Sequence, residues 1–458
     1  MRTIQALAAD LATGKTTSRE IVEKVLAKID DKNGEGARTY IKIYRESALA
    51  EADASDKLRK YGIVPSPLAG LPISIKDLFD VIGDVTHAGV KAHANLPAAT
   101  SDAPIVKRLR GAGAVIIGRT NLSPMAFSPL GINRDFGTPG NPADRTRIPG
   151  GSSSGAVISV TDGMAVAAIG SDTGGSIRMP AAFCGIAGIK PTQKRVPLTQ
   201  TWPLSSTLDS VGPLAPSIAC CALVDAVLAG EAITVPDAIP LKGLRFALPT
   251  NSVTDDMDAT VAQAFQRALE ILSKRGAQII EIEMPEINEV IAMWRKAPSF
   301  TQMEGYARYG DWLTKNPDAY DPSIRARFAV GANASAKDYI DLLQARADII
   351  ERSAKATRNF DAVIMPTVQF VAPTIAEAST DEGFKRIVPQ AIRNPSISNL
   401  LDRCAITTPC HQQGELPVGL SLMGEHGADR RLLAMGLSVE SALQNGRRTP
   451  RPRATSEP

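Results

Sequence analysis

Apolar residues recur along this chain at two periods, and the alternation between the two outlines a fold. From Thr17 the run TSREIVEKVLAKID sets Ile21, Val22, Val25, Leu26 and Ile29 at helical spacing behind a Thr17–Glu20 capping box, which predicts an amphipathic helix near the start. Short apolar stretches then recur between helical patterns: LPISIKD near residue 71, GAVIIGRTN near 113, AVAAIGSD near 165, LRFALP near 244, QIIEIEMP near 278 and FDAVIMPT near 360. These read as strands. One unit is complete, LRFALP followed by the helix VAQAFQRALEILSKRG closing at Gly276 and then QIIEIEMP, an order that favours a parallel strand pair. The fold class is therefore α/β. Residues 285–350 read as mainly helical, with Trp294, Trp312 and several tyrosines, and are expected to form a covering layer. No internal repeat of about 20–50 residues is evident.

Composition narrows the class. The chain has 458 residues, 44% hydrophobic and 22% charged, which excludes disordered, collagen-like and coiled-coil proteins. Its net charge of +3 is too small over that length to mark a nucleic-acid or anionic-membrane surface. The opening MRTIQALAADLATG lacks a signal-peptide pattern and no run of about 18 apolar residues follows, so a soluble protein with no membrane partner is expected. Five sparse cysteines, mostly in apolar surroundings such as AAFCG, read as reduced core residues and place the protein in the cytoplasm. The end, NGRRTPRPRATSEP, carries four Arg and three Pro and is expected to be a loosely attached basic tail whose charge serves solvation.

Several familiar chemistries are missing. Gly14-Lys15-Thr16 imitates the end of a phosphate loop, but Ala9 stands where that loop needs glycine. The four histidines show no zinc-site spacing, and neither HExxH nor G-x-S-x-G occurs. What stands out is PGGSSSGAVISVTDGMAVAAIGSDTGGSIRMPAAFCGIAGIKP, from Pro149 to Pro191. Gly150, Gly151, Gly155, Gly174 and Gly175 let backbone approach a ligand and aim several N–H groups at one point. Ser176 directly follows Gly174-Gly175, so a hydroxyl stands beside those donors, as acyl transfer requires; the bland alternative is a pair of Gly-rich turns.

This stretch resembles the amidase signature family, whose hallmark is a GGSS-type loop followed by GSDTGGSIR and AAFCGxxGxKP. LAGLPISIKD at 68–77, GRTNLSPMAF at 118–127, STLDSVGPLA at 206–215 and LPVGLSLMG at 416–424 resemble further segments of that family, so the likeness spans most of the chain. It implies an amidase signature fold, with a large mixed central β-sheet covered by helices on both faces, in a single domain over 1–445 (signature core about 68–215) followed by the tail at 446–458. It also implies a catalytic Lys76, a bridging Ser152 joined to Gly151 by a cis peptide bond, and a nucleophilic Ser176. Backbone N–H groups of Thr173, Gly174, Gly175 and Ser176 would form the oxyanion hole, with Asp172 and Arg178 bracing the loop. Ser153 and Ser154 are expected as loop-closing hydrogen bonders, either of which could assist Ser152, and Cys184, in an apolar run without a neighbouring base, is expected to pack rather than react.

Lysine can act as a base once burial makes its charged form costly, and Asp77, adjacent in sequence, should point to the opposite face if this segment is a strand. No cofactor or metal is needed. The implied activity is hydrolysis of a carboxamide, urea-like or carbamate C–N bond through a serine acyl-enzyme. The alternative is the amidase-type component of glutamyl-tRNA amidotransferase, its A subunit, the one case in which a nucleic-acid partner would enter. Met179, where that component usually carries Gln, and TQKRVPLTQTW after Pro191 disfavour it. A third reading, a scaffold that keeps the fold without activity, is disfavoured by retention of all three catalytic residues. Met125, Ala126, Phe127, Pro129 and Leu130 suggest a substrate pocket for an acyl or aryl group rather than a charged one. Assembly is left open between monomer and homodimer.

Overall fold

The computed structural model describes residues 1–447, with side chains through residue 445. The basic tail expected over 446–458 lies outside these residues, except that the last helix, Asp429–Arg447, continues two positions into it. Among the described residues eleven strands form one sheet: β1 (Tyr40–Ile43), β2 (Pro72–Lys76), β3 (Val115–Thr120), β4 (Ala167–Asp172), β5 (Ala187–Lys190), β6 (Ser210–Ala215), β7 (Arg245–Pro249), β8 (Gln278–Ile282), β9 (Ala362–Pro366), β10 (Ala405–Pro409) and β11 (Gly419–Met423). Their spatial order is β1-β3-β2-β4-β6-β5-β10-β11-β9-β7-β8. The sheet is mixed: β2 runs parallel to β3 and β4, and β7 to β8 and β9, whereas the other pairings are antiparallel.

Both faces are covered, which explains why the central strands read as continuous apolar runs rather than alternating ones. Ile73, Ile116 and Ile169 enter one cluster with Ile218, Leu223 and Val227 of the helix Ile218–Ala229. Val115, Ile117 and Ala168 point the other way, toward Ala156, Val157 and Val160 of the helix Ser154–Thr161. The expected β7–helix–β8 unit is present, its helix Ala259–Lys274 capped by the Asp258 carboxylate, which accepts from the Val261 N–H at 2.7 Å. Residues 285–350 form the expected helical layer, including Pro285–Arg295, Phe300–Lys315, Pro322–Ala329 and Ala336–Thr357.

Topology places the chemistry. The parallel pairing Ile75↔Ile169 sends β2 and β4 off the sheet in the same direction, so the ends of the two strands, Lys76 and Ser171-Asp172, emerge together. Adjacent carboxyl ends of parallel strands form a natural site for a ligand.

Candidate active site

Lys76 closes β2 with its side chain wholly buried. Its Nζ donates to Ser152 Oγ at 2.7 Å, Ser171 Oγ at 2.8 Å and Ser153 Oγ at 3.1 Å. Among the described residues no carboxylate lies in ion-pair contact with it. Burial therefore dominates and lowers its pKa to about 7, although the more distant charges of Asp172 and Asp209 work in the opposite sense. Asp77 turns away as expected and accepts from Arg119 Nε at 2.6 Å and from the Gly89 N–H at 3.2 Å.

Ser152 lies in the loop before the helix Ser154–Thr161, and the Gly151–Ser152 peptide bond is cis. The loop is held where a side chain could not fit: a Cβ on Gly151 would fall 2.5 Å from the Gly131 nitrogen. The Ser152 carbonyl accepts from the Ser123 N–H at 3.0 Å, and the Ser153 N–H donates to the Ser176 carbonyl at 3.3 Å, which ties the two glycine-rich loops together. Ser153 Oγ contacts both Lys76 and, at 3.3 Å, the Ser171 carbonyl. Ser154 differs from expectation, since its Oγ is buried without a hydrogen-bond partner and closes nothing.

Ser176 begins the turn into the helix Arg178–Cys184. It retains 7% exposure while Lys76 and Ser152 retain none, so of the three only Ser176 is open to a substrate. Behind it, Asp172 holds the loop through five contacts: the Gly175 N–H at 2.8 Å, the Ile177 N–H at 3.2 Å, Arg178 Nε and Nη2 at 3.0 and 2.9 Å, and Asn399 Nδ2 at 2.9 Å. Burial alone would raise this carboxyl, but the Arg178 charge and its paired hydrogen bonds, with Asn399, hold it down at about 2. Because the Gly175 N–H is committed to Asp172, the four backbone donors expected for the oxyanion narrow to Thr173, Gly174 and Ser176. Gly175 itself adopts φ +119°, and a Cβ there would meet Pro395 Cβ at 2.3 Å. Thr173 Oγ1 donates to Asp209 at 2.5 Å, whose carboxyl is raised to about 6, chiefly by burial.

Ser176, Thr173 and Gly174 line a narrow cavity whose wall also carries Ala126, Phe127 and Trp294. Met125, expected in the same wall, lines a separate cavity with Val90 and Tyr320. The left-handed turn at Met125 (φ +51°) and Ala126 (φ +58°) rotates the methionine away and presents its two successors. Pro129 also reaches the cavity, whereas Leu130 is core. Cys184 packs as expected: its thiol donates to the Pro149 carbonyl at 3.3 Å, and burial pushes its pKa well up.

Four residues of the site are given no role by the sequence: Ser171, which lies inside GSDTGGSIR, and Asn399, Trp294 and Arg327, which lie in no motif. Ser171 leaves a faint signal, a polar side chain inside the apolar AVAAIGSD run. The other three come from distant helices that only tertiary packing brings here. Among the described residues, no cluster of side chains could hold a metal ion, and no helix is long and apolar enough to cross a membrane.

Comparison with known proteins agrees with this architecture. A family model described as Amidase matches residues 20–433. The chain is 36% identical over 408 residues, 87% of each chain, to the 2-amino-5-chloromuconic acid deaminase of Comamonas testosteroni. It is 31% identical over 477 residues, 96% of each chain, to the A subunit of the glutamyl-tRNA(Gln) amidotransferase of Chromohalobacter salexigens. A solved amidase superposes with a TM-score of 0.85 at 31% identity, covering 96% of this chain and 99% of its own.

Proposed function

The chain belongs to the Amidase family, and from that premise we propose that this hydrolase of non-peptide C–N bonds works through an acyl-enzyme on Ser176, with Lys76 as base and Ser152 as proton relay. The observation that carries the reading is the Lys76 environment: an amine bonded to three hydroxyls, without a carboxylate in ion-pair contact, and able to lose its proton near neutral pH. Neutral Lys76 takes the Ser152 proton as Ser152 takes that of Ser176, and Ser176 Oγ attacks the carbonyl carbon. Negative charge on the carbonyl oxygen develops toward the N–H groups of Thr173, Gly174 and Ser176. Collapse breaks the C–N bond, and the proton returns through Ser152 to the departing nitrogen. Water then cleaves the ester, releasing the acid and restoring Ser176.

Carboxamides, ureas and carbamates, each with nitrogen on a carbonyl carbon, all fit this chemistry. Buried cysteines in the thiol form support a reducing compartment such as the cytoplasm. The second reading, the amidase-type component of a tRNA amidotransferase, draws support from relatives of that name matched over nearly the whole chain. Met179 at the cavity wall favours the free-standing enzyme. A fluorophosphonate probe tests the mechanism: labelling mapped to Ser176 and absent from Ser176→Ala is expected, and label on another residue would overturn it. Co-purification with a B subunit would select the second reading.

A further inference from the structure

The geometry points to Asp209 as a positioning residue for the reaction: its carboxylate joins Thr173, at the oxyanion site, to Leu204, in the wall of the same cavity, so that the wall a substrate touches sets the aim of the donors. This rests on Ser176 being the nucleophile and Lys76 the base, and it goes beyond that reading by giving a role to a carboxylate that itself touches no reacting atom.

The sheet register brings the two loops together. β4 and β6 run antiparallel with Asp172 opposite Ser210, so Thr173, one step beyond β4, faces Asp209, one step before β6. Thr173 Oγ1 donates to Asp209 Oδ1 at 2.5 Å, while the N–H groups of Leu204 and Ser205 donate to Oδ2 at 2.8 and 2.9 Å. Closure of the turn over 204–209 accounts for the two backbone bonds. It leaves the third unexplained, since that turn needs no hydroxyl from another loop. Thr173 and Leu204 both line the cavity with Ser176, and bonds to a buried carboxylate are charge-assisted and short, so the three-point attachment holds one cavity residue against the other.

The linkage continues into the covering helices. Ser205 Oγ donates to Glu304 Oε2 at 2.6 Å, the Thr207 N–H donates to the same oxygen at 3.2 Å, and the Tyr339 hydroxyl donates to Oε1 at 2.7 Å. Glu304 lies on the helix Phe300–Lys315 one turn after Thr301, and Thr301 lines the cavity too. Two carboxylates joined by one short turn thus connect the oxyanion site to the helical wall of the cavity. Asp209 also carries charge toward the base. Asp172 is matched by Arg178, whereas Asp209, among the described residues, has no cation in ion-pair contact, and its charge is one of two that favour the protonated form of Lys76. Titratable groups that feel Asp209 include Lys76, Glu304 and Tyr309.

The test follows Ser176 labelling by a fluorophosphonate on the purified full chain, read by intact mass, with the limiting rate kinact and the half-saturating concentration KI measured against pH. Thr173→Val removes the hydroxyl while keeping the side-chain shape and the Asp209 charge. It should lower kinact by about 10- to 100-fold, as loosened oxyanion donors do, with KI little changed and the pH midpoint unmoved, and Thr173→Ser should restore most of the rate. Asp209→Asn removes the charge, so the neutral form of Lys76 persists to lower pH and the midpoint should fall below the wild-type value near 7. The double variant should lose less than the product of the separate losses, because the two residues act as one unit. Should Asp209→Asn fail to fold, the Thr173→Val and Thr173→Ser pair still decides. Wild-type kinact in Thr173→Val, a loss confined to KI, no rescue by Thr173→Ser, or an unmoved midpoint in Asp209→Asn would overturn the proposal. Labelling of the wild type separates the two readings, since an enzyme labelled at Ser176 but indifferent to these changes defeats this inference alone, and one that is unlabelled defeats the nucleophile assignment.

Discussion

Lys76 Nζ donates to Ser152 Oγ at 2.7 Å inside a site where neither side chain meets solvent. A lysine so placed is costly when charged and is a base when neutral, so its titration should govern both rate and stability.

For rate, the sign follows from the lowered pKa of about 7. Below it Lys76 is protonated and cannot accept the serine proton; above it the amine is free. With acylation limiting, kcat/KM should rise through about pH 7 to a plateau, and Lys76→Ala should lose this titration along with most activity. A pH–rate profile unchanged in a still-active Lys76→Ala variant would show that the base lies elsewhere.

For stability, the same residue is a liability. The ordinary lysine pKa of 10.5 falls to about 7 in the fold, so between these values the unfolded chain holds a proton that the folded chain lacks. Lys76 should therefore cost folding free energy that grows as pH drops from above 10 to 7, at up to ~1.4 kcal/mol per pH unit, and is constant below that. Denaturant unfolding of wild type and Lys76→Met between pH 7 and 10 should show a shallower pH slope in the variant. Equal slopes would mean that the amine titrates normally.

Ser152 and Ser176 should fail as a unit. Ser176→Ala deletes the nucleophile and Ser152→Ala interrupts the path to Lys76, so the double variant should lose far less than the product of the two separate losses. Each should retain its melting temperature within a few degrees. Multiplicative losses in kcat would indicate that Ser152 serves only the shape of its loop.

How much of this is legible in sequence depends on how local each signal is. The serine-glycine loops can be read because glycines and hydroxyls stand out over a few residues, and Lys76 through the resemblance of its SIKD segment to the family's, whereas the parallel course of β2 and β4 shows only in the sheet. β1, β5 and β10 escape such a reading: they are four or five residues long, and AITTP carries Thr and Pro where a longer apolar run would mark a strand. Met125 is misplaced by sequence because a left-handed turn at a Met and an Ala leaves no trace in composition. Asn399 and Arg327 have no motif, and only the packing of the helices Pro395–Leu400 and Pro322–Ala329 around the Ser176 loop gives them meaning.

The Asp172–Arg178 pair supplies the last prediction, because it holds the Ser176 loop from behind and is itself almost wholly buried. Asp172 closes β4 and Arg178 opens the next helix, so their paired contacts, at 3.0 and 2.9 Å, fix the turn that carries Ser176. Removing one member strands the other: Arg178→Met leaves a buried carboxylate whose pKa should climb from about 2, since burial then works against it with less opposition. The expected loss is ~3–5 kcal/mol at neutral pH, read by urea unfolding. The sign of the pH dependence also changes. Wild-type Asp172, held below the ordinary value of 3.8, contributes stability above that value that is lost as pH falls toward 2, whereas the variant carboxyl, once raised above 3.8, should be relieved by acid. Asn399→Ala, which removes only the 2.9 Å and 3.1 Å bonds to Asp172 and the 2.7 Å acceptor for Arg178, should lose less stability but should lower kcat more than it raises KM, because the Thr173–Ser176 donors lose their fixed aim. A loss confined to KM would mean that Asp172 shapes the pocket and does not aim the donors.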